Sequence, residues 1–188
     1  AGAEAFVVCA ALTAQGDRGG TLEPVDPGFL AQQLEVCFHR GEVRAVKTGW
    51  LANDAQIQVV LDALPASVPL IVDPLLKTTS GLGVYCGDWA RGVYMKLLAR
   101  ADLLTPNLPE AAHFLGAPLD DVTEAASCLQ RLGPERILLK GGHGEGDTLT
   151  DVFLDVDGSL AFWRHPRVAG THRGTGCRLA SFVAAQVS

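Results

Sequence analysis

The stretch VRAVKTGWLANDAQIQVVLDALPASVPLIVDP, residues 43–74, contains the unit from which the fold can be predicted. Residues 43–51 and 69–74 are short apolar runs of the kind that form buried strands. Between them, residues 53–64 open with Asn53, a favoured N-cap, and carry apolar residues at helical spacing. A strand, an amphipathic helix and a second strand in succession predict two parallel strands joined by a helix.

The same alternation continues along most of the chain. Further strands are predicted within residues 6–12, 101–107 and 136–140, with a hairpin over 149–166 that turns at Asp157-Gly158. Further helices are predicted over residues 26–40, 108–116 and 120–133, with one ending at Arg100 and one beginning near Thr175. The central strands are apolar throughout, which indicates a sheet covered on both faces. The predicted fold is therefore α/β, a three-layer α/β/α domain with a mostly parallel central sheet over residues 1–188.

Composition restricts the class of protein. The chain has 188 residues, 48% of them apolar, which is enough for one ordinary core. A formal net charge of −6 makes nucleic acid an unexpected partner. No apolar run approaches the roughly 20 residues that span a bilayer, so no membrane partner is expected. Five widely spaced cysteines, with no Cys-x-x-Cys, are typical of free thiols in a reducing cytoplasm.

Carboxylates follow two of the predicted strands. Ligands in open α/β sheets bind at the carboxyl ends of the strands, which is where Asp73 and Glu110 are expected. Two carboxylates beside a phosphate site suit Mg²⁺, which takes one or two carboxylates together with phosphate oxygens and waters. Each residue also has an ordinary structural explanation, Asp73 as a strand-terminal turn residue and Glu110 as a favourable charge in the first turn of its helix.

The last predicted helix begins with Gly174-Thr175-Gly176-Cys177. Glycines allow successive backbone N–H groups to point one way, and the first helical turn leaves about four N–H groups unpaired. The pattern favours an oxyanion or phosphate site, although a tight loop would use glycine as well. Cys177 lies in this first turn, where the helix end together with Arg173 and Arg178 is expected to favour the thiolate. The alternative is a buried, inert cysteine.

Lys140 ends an apolar strand and leads into Gly141-Gly142-His143. A lysine in this position holds a phosphate as a point charge, whereas the alternative is a solvated loop lysine. The chain lacks the P-loop, dinucleotide-binding, zinc-protease and nucleophile-elbow motifs, which disfavours those enzyme classes.

Six segments in order, ALTAQG, VKTGWLA, IVDPLL, LTPNLPEA, LLKGGHGEGD and GTGC, resemble a known family. They are similar to the hydroxymethylpyrimidine and phosphomethylpyrimidine kinases of thiamine biosynthesis, which belong to the ribokinase-like superfamily. The likeness runs from about Ala10 to Val187, and TPNLPEA, KGGH and GTGC are its most specific parts. The resemblance implies an enzyme that uses ATP and Mg²⁺ to phosphorylate 4-amino-5-hydroxymethyl-2-methylpyrimidine and then its monophosphate.

The resemblance also implies roles for individual residues. Gly174, Thr175 and Gly176 would form the anion hole for the transferring phosphoryl group, beside Cys177. Cys177 would occupy the place where sugar-kinase relatives carry the catalytic aspartate. The binding residues implied in the same way are Gln15, Trp50 and Leu75 for the pyrimidine, Lys140, Asn107 and Gly142 for ATP, and Asp73 and Glu110 for Mg²⁺.

The chain departs from the family pattern at several points. Trp50 stands where the family usually has methionine, which adds bulk to the expected pyrimidine pocket. The family's AKSG reads Thr78-Thr79-Ser80-Gly81 here, with Lys77 two positions earlier, and Arg173 stands where the family tends to have histidine. Compared with the family, the chain is expected to lack the N-terminal glycine-rich segment and the C-terminal helices.

Two alternatives to the pyrimidine kinase remain open from the sequence. One is a pyridoxal or pyridoxine kinase, because related folds phosphorylate that ring and Trp50 would stack on a different heteroaromatic. The other is a non-catalytic pyrimidine-binding domain of the same fold, suggested by Trp50, by the lysine missing from the AKSG position and by the short ends. The family likeness also implies a homodimer.

Overall fold

The computed structural model describes residues 3–16, 19–76, 92–142, 146–169 and 174–187. Its strands are β1 (Ala11–Gly16), β2 (Gly19–Pro24), β3 (Val46–Thr48), β4 (Leu70–Val72), β5 (Leu103–Leu104), β6 (Arg136–Leu139), β7 (Thr148–Leu154) and β8 (Leu160–Pro166). Its helices are α1 (Pro27–Arg40), α2 (Asp54–Ala63), α3 (Val93–Arg100), α4 (Leu108–Leu115), α5 (Val122–Gln130) and α6 (Thr175–Val187).

The central sheet has six strands in the order β3-β4-β5-β6-β7-β8. Strands β3 to β6 run parallel, as residues 43–74 predict, and β7 and β8 form the antiparallel hairpin predicted around Asp157-Gly158. The α/β class and the mostly parallel sheet are therefore confirmed.

Alternate residues of the short central strands face two separate cores. Leu70, Val72 and Leu104 belong to a large core cluster that also contains side chains of α1 to α5. Ile71 and Leu103 point to the other face, where they pack with Ala180 and Ala184 of α6. Because both faces are covered, every residue of β4 and β5 is buried, which explains why their sequences are apolar without alternation.

The helix starts follow the capping signals in the sequence. Asp26 and Asn53 cap α1 and α2 by accepting hydrogen bonds from the backbone N–H groups of Phe29 and Gln56. Gly116 ends α4 in the left-handed conformation, with a φ of 67°. No helix in the described part of the chain is both long and apolar enough to cross a membrane.

The prediction of a buried strand over residues 6–12 is wrong. Residues 3–10 form no strand, and β1 begins only at Ala11, where it pairs with β2 in a separate two-stranded sheet that the sequence analysis did not predict. The backbone N–H and C=O of Cys9 bond instead to the side-chain amide of Gln33, each at 3.0 Å. Val7 is 86% exposed, so the apolar run does not mark a core strand.

Candidate active site

Asp73 lies just after β4, at the edge where the parallel strands end. Its backbone N–H donates to the Thr48 carbonyl at 3.0 Å, which fixes it beside the end of β3. The residue is only 2% exposed, so its carboxylate requires partners. Lys140 Nζ donates to Oδ1 at 3.0 Å, while Lys47 Nζ lies 3.5 Å from Oδ2, which accepts no hydrogen bond from the described residues. Asp73 is therefore the centre of a buried ion cluster.

The two lysines reach Asp73 from different strands. Lys47 lies within β3, whereas Lys140 follows β6, where its backbone N–H donates to the Pro106 carbonyl at 2.8 Å. Their side chains are 16% and 13% exposed, so neither is the solvated loop lysine considered from the sequence. Lys47 was not among the predicted site residues. It lies inside the predicted strand over residues 43–51, and the local sequence has no signal that brings it next to Asp73.

Glu110 lies in the first turn of α4 and forms a capping box with Asn107. Its Oε2 accepts from the Asn107 backbone N–H at 2.8 Å, and the Asn107 side chain accepts from the Glu110 backbone N–H at 2.9 Å. Burial raises the pKa of Glu110 to about 7, and the negative charge of Asp73 adds to this, while the Asn107 hydrogen bonds and Lys140 oppose it. Asn107 and Glu110 thus have a structural role in addition to any role in binding.

The start of α6 lies against the same cluster. Gly174 has a φ of +76°, which favours glycine, and its carbonyl accepts from the Arg178 N–H at 3.0 Å to begin the helix. A side chain at Gly176 would place its Cβ 3.1 Å from Lys140 Nζ. The glycine therefore allows the lysine ammonium to approach the first turn of α6, where unpaired N–H groups carry partial positive charge.

The expectation of a thiolate at Cys177 is wrong for the ligand-free protein. Burial raises the pKa of the Cys177 thiol, and the nearby Asp73 carboxylate adds to this rise, whereas Lys47 and Lys140 lower it less than burial raises it. Arg178 is exposed and Arg173 lies outside the described residues. These surroundings favour the protonated thiol, which is able to donate a hydrogen bond.

The loop after Lys140 is held by the β7–β8 hairpin. The Gly141 N–H donates to Asp151 Oδ1 at 2.7 Å, and the Gly142 carbonyl accepts from Arg167 Nη1 at 3.3 Å. A Cβ at Gly141 would overlap the Thr150 carbonyl oxygen, so this position requires glycine for close approach of two backbones. These contacts fix the loop next to Lys140.

The predicted pyrimidine-binding residues are only partly described. Gln15 belongs to β1, but its side chain lies outside the described part of the structure. Trp50 is half-buried directly after Gly49, and a Cβ on Gly49 would lie 3.9 Å from Leu75 Cδ1. Residues 77–81, which contain the departure from AKSG, also lie outside the described residues.

The two carboxyl groups suit a magnesium ion that arrives with phosphates. Asp73 Oδ2 is buried and accepts no hydrogen bond within the described part of the chain, and Glu110 is buried near Asp73. No group of three His, Cys, Asp or Glu side chains able to hold a metal occurs among the described residues. A pair of carboxyl groups is the donor set expected for Mg²⁺ that keeps waters and phosphate oxygens as its other ligands.

Two lysines, two carboxyl groups and a glycine-rich helix start lie together at the carboxyl ends of a mostly parallel sheet, an arrangement that suits a phosphotransferase of the ribokinase-like fold. The chain belongs to the phosphomethylpyrimidine kinase family, whose model matches residues 1–188. It is 38% identical to the hydroxymethylpyrimidine/phosphomethylpyrimidine kinase of Streptomyces coelicolor, over 97% of this chain and 70% of that protein.

Two further comparisons extend the likeness. The thiamine biosynthesis bifunctional protein ThiED of Geobacter sulfurreducens is 36% identical over 94% of this chain and 37% of its own length. The pyridoxal kinase of Staphylococcus aureus, solved with AMP-PCP and pyridoxal, has the same fold, with a TM-score of 0.79 at 22% identity. That match covers 96% of this chain and 67% of the other.

Proposed function

We propose that the protein transfers the γ-phosphoryl group of ATP to 4-amino-5-hydroxymethyl-2-methylpyrimidine and then to its monophosphate, as a step of thiamine synthesis. The observation that carries the proposal is the buried cluster of Lys47, Asp73 and Lys140 against the first turn of α6. Membership of the phosphomethylpyrimidine kinase family supports the choice of acceptor.

Phosphoryl transfer needs positioning and charge neutralisation more than covalent chemistry from the protein. Lys140 and the N–H groups of Gly174 to Cys177 would face the transferring phosphoryl group, and Asn107 and Gly142 would contact the nucleotide. Such preorganised donors stabilise charge that develops in the transition state. The pyrimidine would lie against Gln15, Trp50 and Leu75.

The Cys177 thiol would donate a hydrogen bond near the acceptor oxygen. Its raised pKa supports this role over that of a general base. The acceptor oxygen forms a bond to the γ-phosphorus as the bond to ADP breaks. In the first transfer, the hydroxyl proton passes to an oxygen of the transferred phosphoryl group.

Asp73 and Glu110 would hold Mg²⁺ together with the nucleotide phosphates. When bound, the ion neutralises phosphate charge and orients the leaving group. Because its pKa is raised to about 7, the Glu110 carboxyl is mostly ionised only above neutral pH in the free protein, so we expect it to bind a cation best there.

We also expect a homodimer, which sedimentation velocity tests. Cys9, Cys37, Cys128 and Cys177, the free cysteines among the described residues, support a cytoplasmic enzyme.

The test is a coupled ADP-release assay with each pyrimidine, on a sample whose intact mass has been measured. Turnover that requires Mg²⁺ is expected with both acceptors. K140Q is expected to lower kcat/KM by about 100-fold or more, the loss typical of removing one preorganised charge-stabilising donor. K96Q, at an exposed position on α3, is the matched control and should retain wild-type kinetics. Absence of ADP release with both pyrimidines would overturn the proposal.

Pyridoxal is the rival acceptor, because pyridoxal kinases share this fold. Assays with pyridoxal and the hydroxymethylpyrimidine side by side separate the two activities. A higher kcat/KM for pyridoxal would replace the proposed substrate and leave the phosphotransferase chemistry intact. Tight pyrimidine binding without turnover in excess Mg-ATP would support a non-catalytic domain.

A further inference from the structure

The ion cluster in the candidate site carries more positive than negative charge. Asp73 is the only carboxylate among the described residues within 4.0 Å of either Lys47 Nζ or Lys140 Nζ. A buried excess of cationic charge is costly without an anionic partner, so the site is suited to more than one anionic group.

The two ammonium groups lie against different oxygens of Asp73, with Lys140 Nζ 3.0 Å from Oδ1 and Lys47 Nζ 3.5 Å from Oδ2. Lys140 Nζ approaches Gly176 at the start of α6, which is the side proposed for the transferring phosphoryl group. Lys47 Nζ approaches Gly49, where a Cβ would lie 3.0 Å from it, and the same glycine lies near Leu75. Trp50 follows directly in the sequence. Lys47 is therefore on the side proposed for the acceptor.

Of the two lysines, Lys47 has the weaker contact with Asp73. Its Nζ is 3.5 Å from Asp73 Oδ2, which is longer than a hydrogen bond, whereas Lys140 donates to Oδ1 at 3.0 Å. An ammonium group has three donors, and no hydrogen bond from Lys47 Nζ to another described residue accompanies this ion pair. Donors therefore remain for a ligand.

We propose that Lys47 binds the phosphate of the phosphorylated pyrimidine and so favours the second phosphoryl transfer over the first. The inference rests on the proposed function and assigns to that site the residue that distinguishes its two acceptors. In the second transfer, a phosphate oxygen of the monophosphate forms a bond to the γ-phosphorus of ATP. The bond to ADP breaks, and the products are the pyrimidine diphosphate and ADP.

The physical reason is charge repulsion between the two phosphates. The first acceptor is a neutral alcohol, whereas the second brings a dianion towards the γ-phosphate of ATP. A cation beside the acceptor lowers this repulsion, whereas Lys140 bonds to the other oxygen of Asp73 and approaches Gly176, where the γ-phosphate is proposed to lie. Lys47 supplies that cation, and its charge also reaches Cys177 in the first turn of α6, where it acts to lower the pKa of the thiol.

The experiment measures kcat/KM for each acceptor separately in wild type, K47Q, K47R and K140Q. For K47Q, the loss with the monophosphate is expected to exceed the loss with the alcohol by about 10- to 100-fold, the range for a hydrogen bond to a charged group. K140Q should lower both by similar factors, and K47R should recover much of the monophosphate activity. Calorimetric titration without nucleotide should show weaker binding of the monophosphate to K47Q, with alcohol binding changed far less.

Equal losses with both acceptors in K47Q, together with an unchanged ratio of their dissociation constants, would overturn the inference and leave Lys47 as a residue that only positions Asp73. Thermal unfolding of each variant shows whether the fold is retained, and K47R covers the case in which K47Q unfolds. Failure of the proposed function is distinguishable, because wild type would then release no ADP with either acceptor.

Discussion

Glu110 is a carboxyl group whose surroundings disfavour its negative charge. It is 8% exposed, and burial raises its pKa from 4.5 to about 7. Between these two values the folded protein binds a proton that the unfolded chain has released. The stabilising contribution of this group is therefore complete below about pH 4.5 and is lost as pH rises through about 7.

We predict that E110Q removes this part of the pH dependence. Glutamine keeps an acceptor for the Asn107 N–H but cannot ionise, so the variant should gain stability relative to wild type as pH rises from 5 to 8. A pKa rise of this size corresponds to about 3 kcal/mol at most. Urea unfolding of both proteins in metal-free buffer measures the difference. If the free energies of unfolding of E110Q and wild type change with pH in the same way over this range, Glu110 is not buried as a neutral acid.

Single residues of the site were predictable to different degrees. Asp73 and Lys140 follow apolar strands, so strand-end position alone selects them. The protonation of Cys177 was not predictable, because helix position favours the thiolate while burial by distant parts of the chain disfavours it. Lys47 was missed since its proximity to Asp73 depends on the register of β3 against β4, which the local sequence does not contain.

At the scale of elements, the contact between the end of β6 and β7 depends on one glycine. The Gly141 position brings its backbone against that of Thr150, and the Gly141 N–H bonds to Asp151. A Cβ there would lie 2.7 Å from the Thr150 carbonyl carbon and 2.9 Å from its nitrogen. These are backbone atoms of a residue that pairs with Arg164 in the β7–β8 ladder, so they cannot move aside easily.

We predict that G141A lowers the free energy of unfolding by about 3 kcal/mol, at the upper end of the usual cost of overpacking. The neighbouring G142A is the matched control, because no atom of the described residues lies within 4 Å of a Cβ there. Its expected cost is below about 1 kcal/mol. Equilibrium urea unfolding compares the two variants with wild type. Equal losses would contradict the close approach of the two strands.

Elements with local signals were predicted well. The helices α1, α2 and α4 begin at capping residues that the sequence displays, and the β7–β8 hairpin turns at Asp157-Gly158. The segment over residues 6–12 failed for a physical reason, since an apolar run indicates a strand only if another strand pairs with it. Here a glutamine side chain on α1 takes the backbone hydrogen bonds of Cys9.

At the scale of the whole molecule, the two-stranded sheet is joined to the main domain by a buried glutamine. Gln56 on α2 is 0% exposed. Its Nε2 donates to the carbonyls of Ala10 at 2.8 Å and Val25 at 2.7 Å, at the base of the β1–β2 hairpin, and its Oε1 accepts from Ala52 N–H at 2.9 Å. One side chain thus satisfies backbone groups from three segments.

We predict that Q56L lowers the free energy of unfolding by about 3 kcal/mol, because leucine leaves buried polar groups without partners. Q58L is the matched control. Gln58 lies on the same helix, and its side chain makes one exposed hydrogen bond to Asp62, so the expected loss of stability is within about 0.5 kcal/mol.

Hydrogen exchange adds a local measurement. In Q56L the Val25 N–H, which donates to the Ala10 carbonyl at 2.9 Å, should exchange faster than the amides of β4. If Q56L and Q58L lost equal stability and Val25 kept its protection, the hairpin would have to be held by other contacts. The expected pattern would instead mean that β1, which carries Gln15, takes its position from a residue outside the ion cluster of Lys47, Asp73 and Lys140.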